Sequence, residues 1–167
     1  EDLALDIAKA TQSLTQTPYD LLRDPNGLNL RPYQIRAVEA TEKALANGHR
    51  SVLLSMATGT GKTRTLLAMI YRFLAAKRFK RILFLVDRNV LGKQALDVFK
   101  DVKLEDLQTL YNIYPINSLS EKTIEKEIKI QLSTVQAMVR RILYNEAEDM
   151  PSVSDYDLVI VDEAHRG

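Results

Sequence analysis

The stretch Met56-Ala57-Thr58-Gly59-Thr60-Gly61-Lys62-Thr63, which follows an apolar run, decides how the rest of the chain reads. A loop that wraps its peptide N–H groups around phosphate needs backbone angles that a Cβ penalises. Gly59 and Gly61 supply that freedom. In such a loop Lys62 reaches the β- and γ-phosphates of a nucleoside triphosphate as a flexible point charge, and the Thr63 hydroxyl fills one position on a magnesium ion. The helix that follows aims its N-terminus at the same anion. The strict pattern G-x-x-x-x-G-K-[ST] is not met, because Ala57 occupies the first glycine position. A Gly-Thr turn ahead of an amphipathic helix is the alternative for this motif taken alone.

A second motif bears on that choice. Leu158-Val159-Ile160-Val161 is an apolar, mostly β-branched run that predicts a buried parallel strand and delivers Asp162-Glu163-Ala164-His165 at its carboxyl end. Ligands of open α/β sheets sit at that end. Asp162 there suits magnesium, directly or through water, and Glu163 suits polarisation of a water for in-line attack on the γ-phosphate. A solvated acidic turn closing a strand is the plainer reading of any such pair.

The chain of 167 residues, 46% hydrophobic and 27% charged, is long enough for one substantial core. No run approaches the roughly 18 to 20 apolar residues that span a bilayer, and the start lacks a basic-then-apolar secretory pattern. A soluble, cytoplasmic protein is expected. The absence of cysteine excludes disulfides and thiolate metal sites, and His49 and His165 are too few for a histidine zinc cluster. Magnesium is the one metal expected. Net charge is only +1, but Lys43 through Val86 contains no acidic residue while holding Lys43, Arg50, Lys62, Arg64, Arg72, Lys77, Arg78, Lys80 and Arg81. That asymmetry suits polyanions, nucleotide and DNA backbone alike. Lys77 to Arg81 equally suits the solvated end of a helix.

Leu3, Ile7, Ala10 and Leu14 recur at helical spacing, and Thr17-Pro18 and Asp24-Pro25-Asn26-Gly27 mark turns. Residues 1–29 therefore read as a linker segment with a helix, and 30–167 as the N-terminal part of an α/β lobe. Within it a helix is predicted from Pro32 to the C-cap pair Asn47-Gly48, and a strand from Ser51 to Met56. After Gly61 comes a helix burying Leu66, Leu67, Ile70, Phe73 and Leu74, then a strand over Ile82–Val86 and a helix from Asn89 to Phe99. Leu104 to Ile116 is ambiguous, and Ser118 to Glu121 has capping-box spacing before a short charged helix. A strand over Ile128–Leu132, a helix over Val135–Tyr144 and the strand at Leu158 complete the pattern. Strands alternating with helices imply a mostly parallel sheet with right-handed crossovers.

Together these residues resemble superfamily-2 helicases and translocases, with A-T-G-T-G-K-T as motif I and D-E-A-H as motif II. Leu30-Arg31-Pro32-Tyr33-Gln34 is similar to the L-R-x-Y-Q element of that group, in which the glutamine reads the adenine edge, and Gln34 has the amide for it. A proline in the first turn of a helix accounts for the same residues structurally. The P-T-R-E-L and T-P-G-R strings of DEAD-box RNA helicases are absent. Instead Val86-Asp87-Arg88-Asn89, Leu132-Ser133-Thr134-Val135-Gln136 and D-E-A-H-R-G resemble the motor region of the restriction subunit of type I restriction-modification enzymes.

The resemblance implies a P-loop NTPase (RecA-like) α/β fold, a mostly parallel sheet with helices on both faces, incomplete at its C-terminus. In that superfamily the strand after motif II lies between the phosphate-loop strand and the D-E-A-H strand. It implies an ATP- and Mg2+-dependent translocase on double-stranded DNA, within a restriction endonuclease that assembles with methylation and specificity subunits. Another superfamily-2 DNA or RNA helicase and a nucleotide-gated binding module are the competing classes. Arg88, Asn89, Thr134 and Gln136 fall where such a motor grips DNA phosphates, although Asn89 and Thr134 suit plain helix N-caps equally well. No nuclease pattern occurs, Glu127-Ile128-Lys129 reading as a strand entrance. Without a second lobe and its arginines, this stretch alone is expected to hydrolyse ATP negligibly.

Overall fold

The computed structural model describes residues 2–57, 61–87, 89–117, 127–144 and 155–162. These residues group into two compact units. One comprises the described residues up to Arg78 together with Asp101–Leu110, and the other holds the remainder.

The first unit is helical. Helix α1 (Asp2–Gln16), the short α2 (Asp20–Arg23), α3 (Pro32–Ala46) and α4 (Lys62–Ala75) carry its core. Helix α1 packs on α3 and α3 on α4. Leu14, Leu22, Leu28, Ile35, Val38, Leu67 and Ile70 are buried, so the segment ahead of residue 30 contributes to this core. Proline opens α3 at its first position, where the missing N–H costs nothing. Its end follows the predicted Asn47-Gly48 pair: Gly48 turns left-handed at φ 85°, and its N–H and that of His49 return to the carbonyls of Leu45 and Ala44. Helix α4 ends in the same way through Lys77 at φ 57°, with Lys77 N–H on Leu74 and Arg78 N–H on Phe73. The basic run at 77–81 therefore lies beyond the helix, not on its last turn.

Two expectations change in this unit. Ser51–Ala57 forms neither strand nor helix, and Leu53 is 85% exposed. A strand exists only as a member of a ladder, and the sheet ladder among the described residues does not include this run. Helix α4 is also buried more widely than a single stripe: Ala68, Met69 and Tyr71 join Leu67, Ile70, Phe73 and Leu74, while Leu66 is half-buried.

The second unit is a parallel sheet in the order β2-β3-β1-β4, from β1 (Ile82–Val86), β2 (Ile116–Asn117), β3 (Ile130–Thr134) and β4 (Leu158–Val161). Register places Leu83 beside Gln131 and Val159, and Phe84 beside Leu132 and Ile160. Because side chains alternate, these triplets face opposite ways. Helix α5 (Asn89–Asp101) covers the Phe84 face, its Phe99 meeting Phe84 edge-on at 6.2 Å, and α7 (Val135–Tyr144) covers the other, its Met138 clustering with Leu83 and Tyr156. Helices on both faces of a parallel sheet is the expected architecture. The ambiguous stretch resolves into a 3-10 turn (Glu105–Leu107), α6 (Leu110–Ile113) and β2, and the third predicted strand starts two residues later than expected. The capping-box spacing at 118–121 lies outside the described residues.

Candidate nucleotide site

Gly61 opens α4 from a left-handed conformation, φ 80° and ψ 35°. Its carbonyl accepts three hydrogen bonds: from Thr65 N–H at 3.1 Å, from Thr65 Oγ1 at 3.0 Å and from Gln34 Nε2 at 3.1 Å. A Cβ on Gly61 would sit in an unfavourable left-handed conformation and would have to displace the end of the Gln34 side chain. Gln34 is itself buried, and its Oε1 accepts the Arg31 N–H at 2.7 Å at the start of α3. The structure thus brings the L-R-x-Y-Q element and the end of the phosphate-loop motif into contact. Lys62 and Thr63 stand half-buried in the first turn of α4, and Arg64 is turned away to the Leu28 carbonyl at 2.8 Å. Thr58, Gly59 and Thr60 lie outside the described residues.

In the second unit, Asp162 directly follows β4 and its N–H donates to the Leu85 carbonyl at 2.9 Å. Its position is set from the opposite end of the strand. The Asp157 carboxylate accepts the N–H groups of Lys80 at 2.6 Å and Arg81 at 2.9 Å, while Asp157 N–H donates to Arg81 O at 3.0 Å. The Arg81 guanidinium lies over the Tyr156 ring, 5.2 Å from its centre. These contacts lock β4 onto β1 and carry Asp162 to the carboxyl end of the sheet. Glu163 and the rest of D-E-A-H lie outside the described residues. Gln34, Gly61, Lys62 and Thr63 belong to the first unit and Asp162 to the second.

Of the four positions singled out for DNA, Thr134 is 7% exposed and its hydroxyl accepts the Ala137 N–H at 3.0 Å, the geometry of an N-cap on α7. Gln136 is exposed on the first turn of α7. Asn89 begins α5, and Arg88 lies outside the described residues.

Sequence reasoning placed Arg72 among cations suited to polyanions, and the structure corrects this. Arg72 is buried and forks onto Glu42, with Nη2 to Oε1 at 2.7 Å and Nε to Oε1 at 2.9 Å. Nη1 donates to Pro18 O at 3.0 Å, and Nη2 also reaches Leu14 O at 2.9 Å and Thr17 O at 3.0 Å, which caps the carbonyl end of α1. Tyr19 stacks on the guanidinium at 4.2 Å and donates its hydroxyl to Glu42 at 3.2 Å. Burial pushes the Glu42 carboxyl above its ordinary range, with Arg72 pulling the other way. Burial, then the Glu42 charge, pushes the Tyr19 phenol up to about 12. The signal lay in the helical pattern: Glu42 stands on the face of α3 that also buries Ile35 and Val38, and Arg72 lies within the apolar run of α4. Buried charges at such positions come in pairs.

The arrangement fits a triphosphate with magnesium. A left-handed glycine at the start of a fourteen-residue helix, with lysine and threonine in the first turn, is an arrangement suited to an anion. Among the described residues no group of three or more His, Cys, Asp or Glu side chains gathers as a self-contained metal cage. Magnesium bound through phosphate oxygens needs only one or two protein oxygens, and the Thr63 hydroxyl in the first turn of α4 is of that kind.

The family model described as "Type III restriction enzyme, res subunit" (ResIII) matches residues 27–167. The chain belongs to that family. It is 51% identical over 140 residues to the type I restriction enzyme EcoKI endonuclease subunit of Escherichia coli K12, covering 84% of this chain and 12% of that protein. Against the type I restriction enzyme EcoAI endonuclease subunit of Escherichia coli it is 38% identical over 154 residues, 92% of this chain and 18% of the relative. The chain thus spans less than a fifth of either relative. Among solved structures, a fragment described as an HsdR subunit of a type I restriction enzyme from Vibrio vulnificus YJ016 superposes with a TM-score of 0.53 at 22% identity, covering 81% of this chain and 22% of that one. The resemblance to type I restriction subunits and the RecA-like P-loop fold both stand on these matches. No helix among the described residues is long and apolar enough to cross a membrane.

Proposed function

We propose that this ResIII chain is the nucleotide-binding part of an ATP-dependent motor that moves along double-stranded DNA within a type I restriction endonuclease. The observation that carries the proposal is the left-handed Gly61 placing Lys62 and Thr63 at the mouth of α4, with Gln34 against it. Residues 30–167 form the first part of the RecA-like lobe, and 1–29 lead into it. Thr58 to Thr63 hold the β- and γ-phosphates of ATP, with Lys62 as the counter-charge. Thr63 and Asp162 hold Mg2+, which neutralises developing phosphate charge when bound. Glu163 accepts the proton of the attacking water. Arg88, Asn89, Thr134 and Gln136 line the path of the DNA backbone, Thr134 through backbone groups because its hydroxyl caps α7. Methylation and specificity subunits complete the assembly in the cytoplasm, where DNA is the substrate.

The test is ATP turnover by the intact protein that carries this chain, with duplex DNA, RNA or neither. Stimulation by duplex DNA is expected, and Glu163→Gln lowers turnover about a hundredfold or more while nucleotide binding persists. Turnover stimulated only by RNA would move the chain to another helicase class, and turnover indifferent to Glu163→Gln would leave a binding module.

A further inference from the structure

We propose that α1 is coupled to the nucleotide site through the buried Glu42–Arg72 pair, so that nucleotide binding and the docking of α1 favour each other. The inference rests on the nucleotide site proposed above and adds to it a control that lies away from the ligand. Every element involved belongs to one compact unit. The proposed site is made by the first turns of α3 and α4, where Gln34 and Gly61 meet. At about 1.5 Å per residue, Glu42 lies roughly 12 Å along α3 from Gln34, and Arg72 roughly 15 Å along α4 from Lys62. There the same two helices are joined a second time, with Arg72 Nη2 on Glu42 Oε1 at 2.7 Å and Nε on Oε2 at 3.2 Å.

Water decides how firmly that second joint holds, because opposite charges attract weakly in water and strongly where it is excluded. Glu42 is 0% exposed and Arg72 5%, and burial shows in the Glu42 carboxyl, which stands above its ordinary range. The carbonyl end of α1 lies against the guanidinium: Nη2 reaches Leu14 O at 2.9 Å and Thr17 O at 3.0 Å, and Nη1 reaches Pro18 O at 3.0 Å. Tyr19 follows at once, stacking on the guanidinium at 4.2 Å and donating its hydroxyl to Glu42 at 3.2 Å. Lifting this end of α1 away exchanges these partners for water and leaves the pair solvated, where an ion pair is worth little. The two first turns that a nucleotide must bridge then lose their common support. A ligand that needs both turns in place binds the docked form better, which is the differential affinity that coupling requires. Asp2 through Lys9 are exposed while Leu14 is buried, so α1 is held by its second half and its release is a local opening.

Hydrogen exchange on the intact wild-type protein, with and without saturating AMP-PNP and Mg2+, decides the matter without any substitution. Residues 62–66, at the start of α4, report the ligand, and residues 10–19 report α1. Protection over 10–19 is expected to rise about fivefold or more when the ligand protects 62–66, the scale of ordinary coupling between sites. Glu42→Gln combined with Arg72→Met removes both charges together, so no buried ion is orphaned. In that double variant the ligand still protects 62–66 at saturation, and the response over 10–19 is lost. Reciprocity supplies a second arm: Leu14→Ala, on α1 itself, loosens the helix and lowers AMP-PNP affinity measured by calorimetry, and in the double variant the same change leaves affinity where it was. Protection of 62–66 with no change over 10–19 in wild type overturns the proposal and leaves the nucleotide site standing. An undiminished response over 10–19 in the double variant also overturns it, since ordinary packing then carries the effect. Absence of both calorimetric binding and protection over 62–66 sinks the nucleotide site, and the coupling with it.

Discussion

Replacing Arg72 with methionine is the most demanding test of the helical unit. Arg72 fills a buried place with a long stem that methionine reproduces, so packing changes little and the lost polar contacts dominate. The substitution leaves Glu42, 0% exposed, with the Tyr19 hydroxyl as its hydrogen-bond donor, and strips the guanidinium from Leu14, Thr17 and Pro18 carbonyls. Removing one member of a buried ion pair costs about 3–5 kcal/mol. Glu42 already sits above the usual carboxylate range through burial, so the orphaned group escapes part of that cost by taking a proton. About 3 kcal/mol at neutral pH is therefore expected, easing as the medium is acidified. Hydrogen exchange on the intact protein reads this locally: amides of α1 and α4 should lose about a hundredfold of protection or more. Adding Glu42→Gln to Arg72→Met should recover a large share of it. A single Arg72→Met variant with wild-type protection in both helices would refute the claim that this pair anchors α1.

Tyr19 offers a pH-dependent counterpart. Its pKa is raised from 10.0 to about 12, so the neutral phenol favours the folded unit below pH 10, and that contribution is lost as pH rises through 12. Exchange protection of α1 should fall across that window in wild type, and Tyr19→Phe should flatten the slope. Asp157→Ala removes the carboxylate from the Lys80 and Arg81 amides, and because Asp157 is exposed it should weaken β1–β4 pairing by only about 1 kcal/mol, seen as faster exchange in Leu158–Val161. Unaltered exchange there would remove Asp157 from its place as the register clamp. Gly61→Ala forces a left-handed alanine, costing about 1–2 kcal/mol, against the Gln34 amide. Nucleotide affinity should drop about tenfold or more, and wild-type affinity would contradict the described loop.

The sheet was legible where the sequence was insistent. Ile82–Val86 and Leu158–Val161 are short apolar runs bounded by polar residues, and both appear as parallel strands in the places the pattern assigns, but the second is not buried as expected: it stands at the end of the strand order with Val159 42% and Val161 48% exposed. The α3 terminus was legible for a local reason, since Asn47-Gly48 can close a helix without help from elsewhere. Ser51–Met56 failed because a strand depends on a partner as well as on its own residues, and Leu104 to Ile116 was unreadable because 3-10, helical and extended pieces succeed one another within a few residues. Single residues of the site could be named from spacing, yet the contact between Gln34 and Gly61 joins positions 27 apart, which no local pattern reveals. Arg72 was misread for the opposite reason: charge invites a solvent-facing role, and only the neighbouring apolar residues show that it points inward.

The bonds from Arg72 to Leu14, Thr17 and Pro18 join residues 54 to 58 apart in the chain. Closing so wide a loop is entropically costly and must wait until both ends exist. During synthesis α1 can therefore meet α3 first, while the cap on its carbonyl end waits for the arginine to emerge. Capping of α1 and completion of α4 become a single event in the synthesis of this segment.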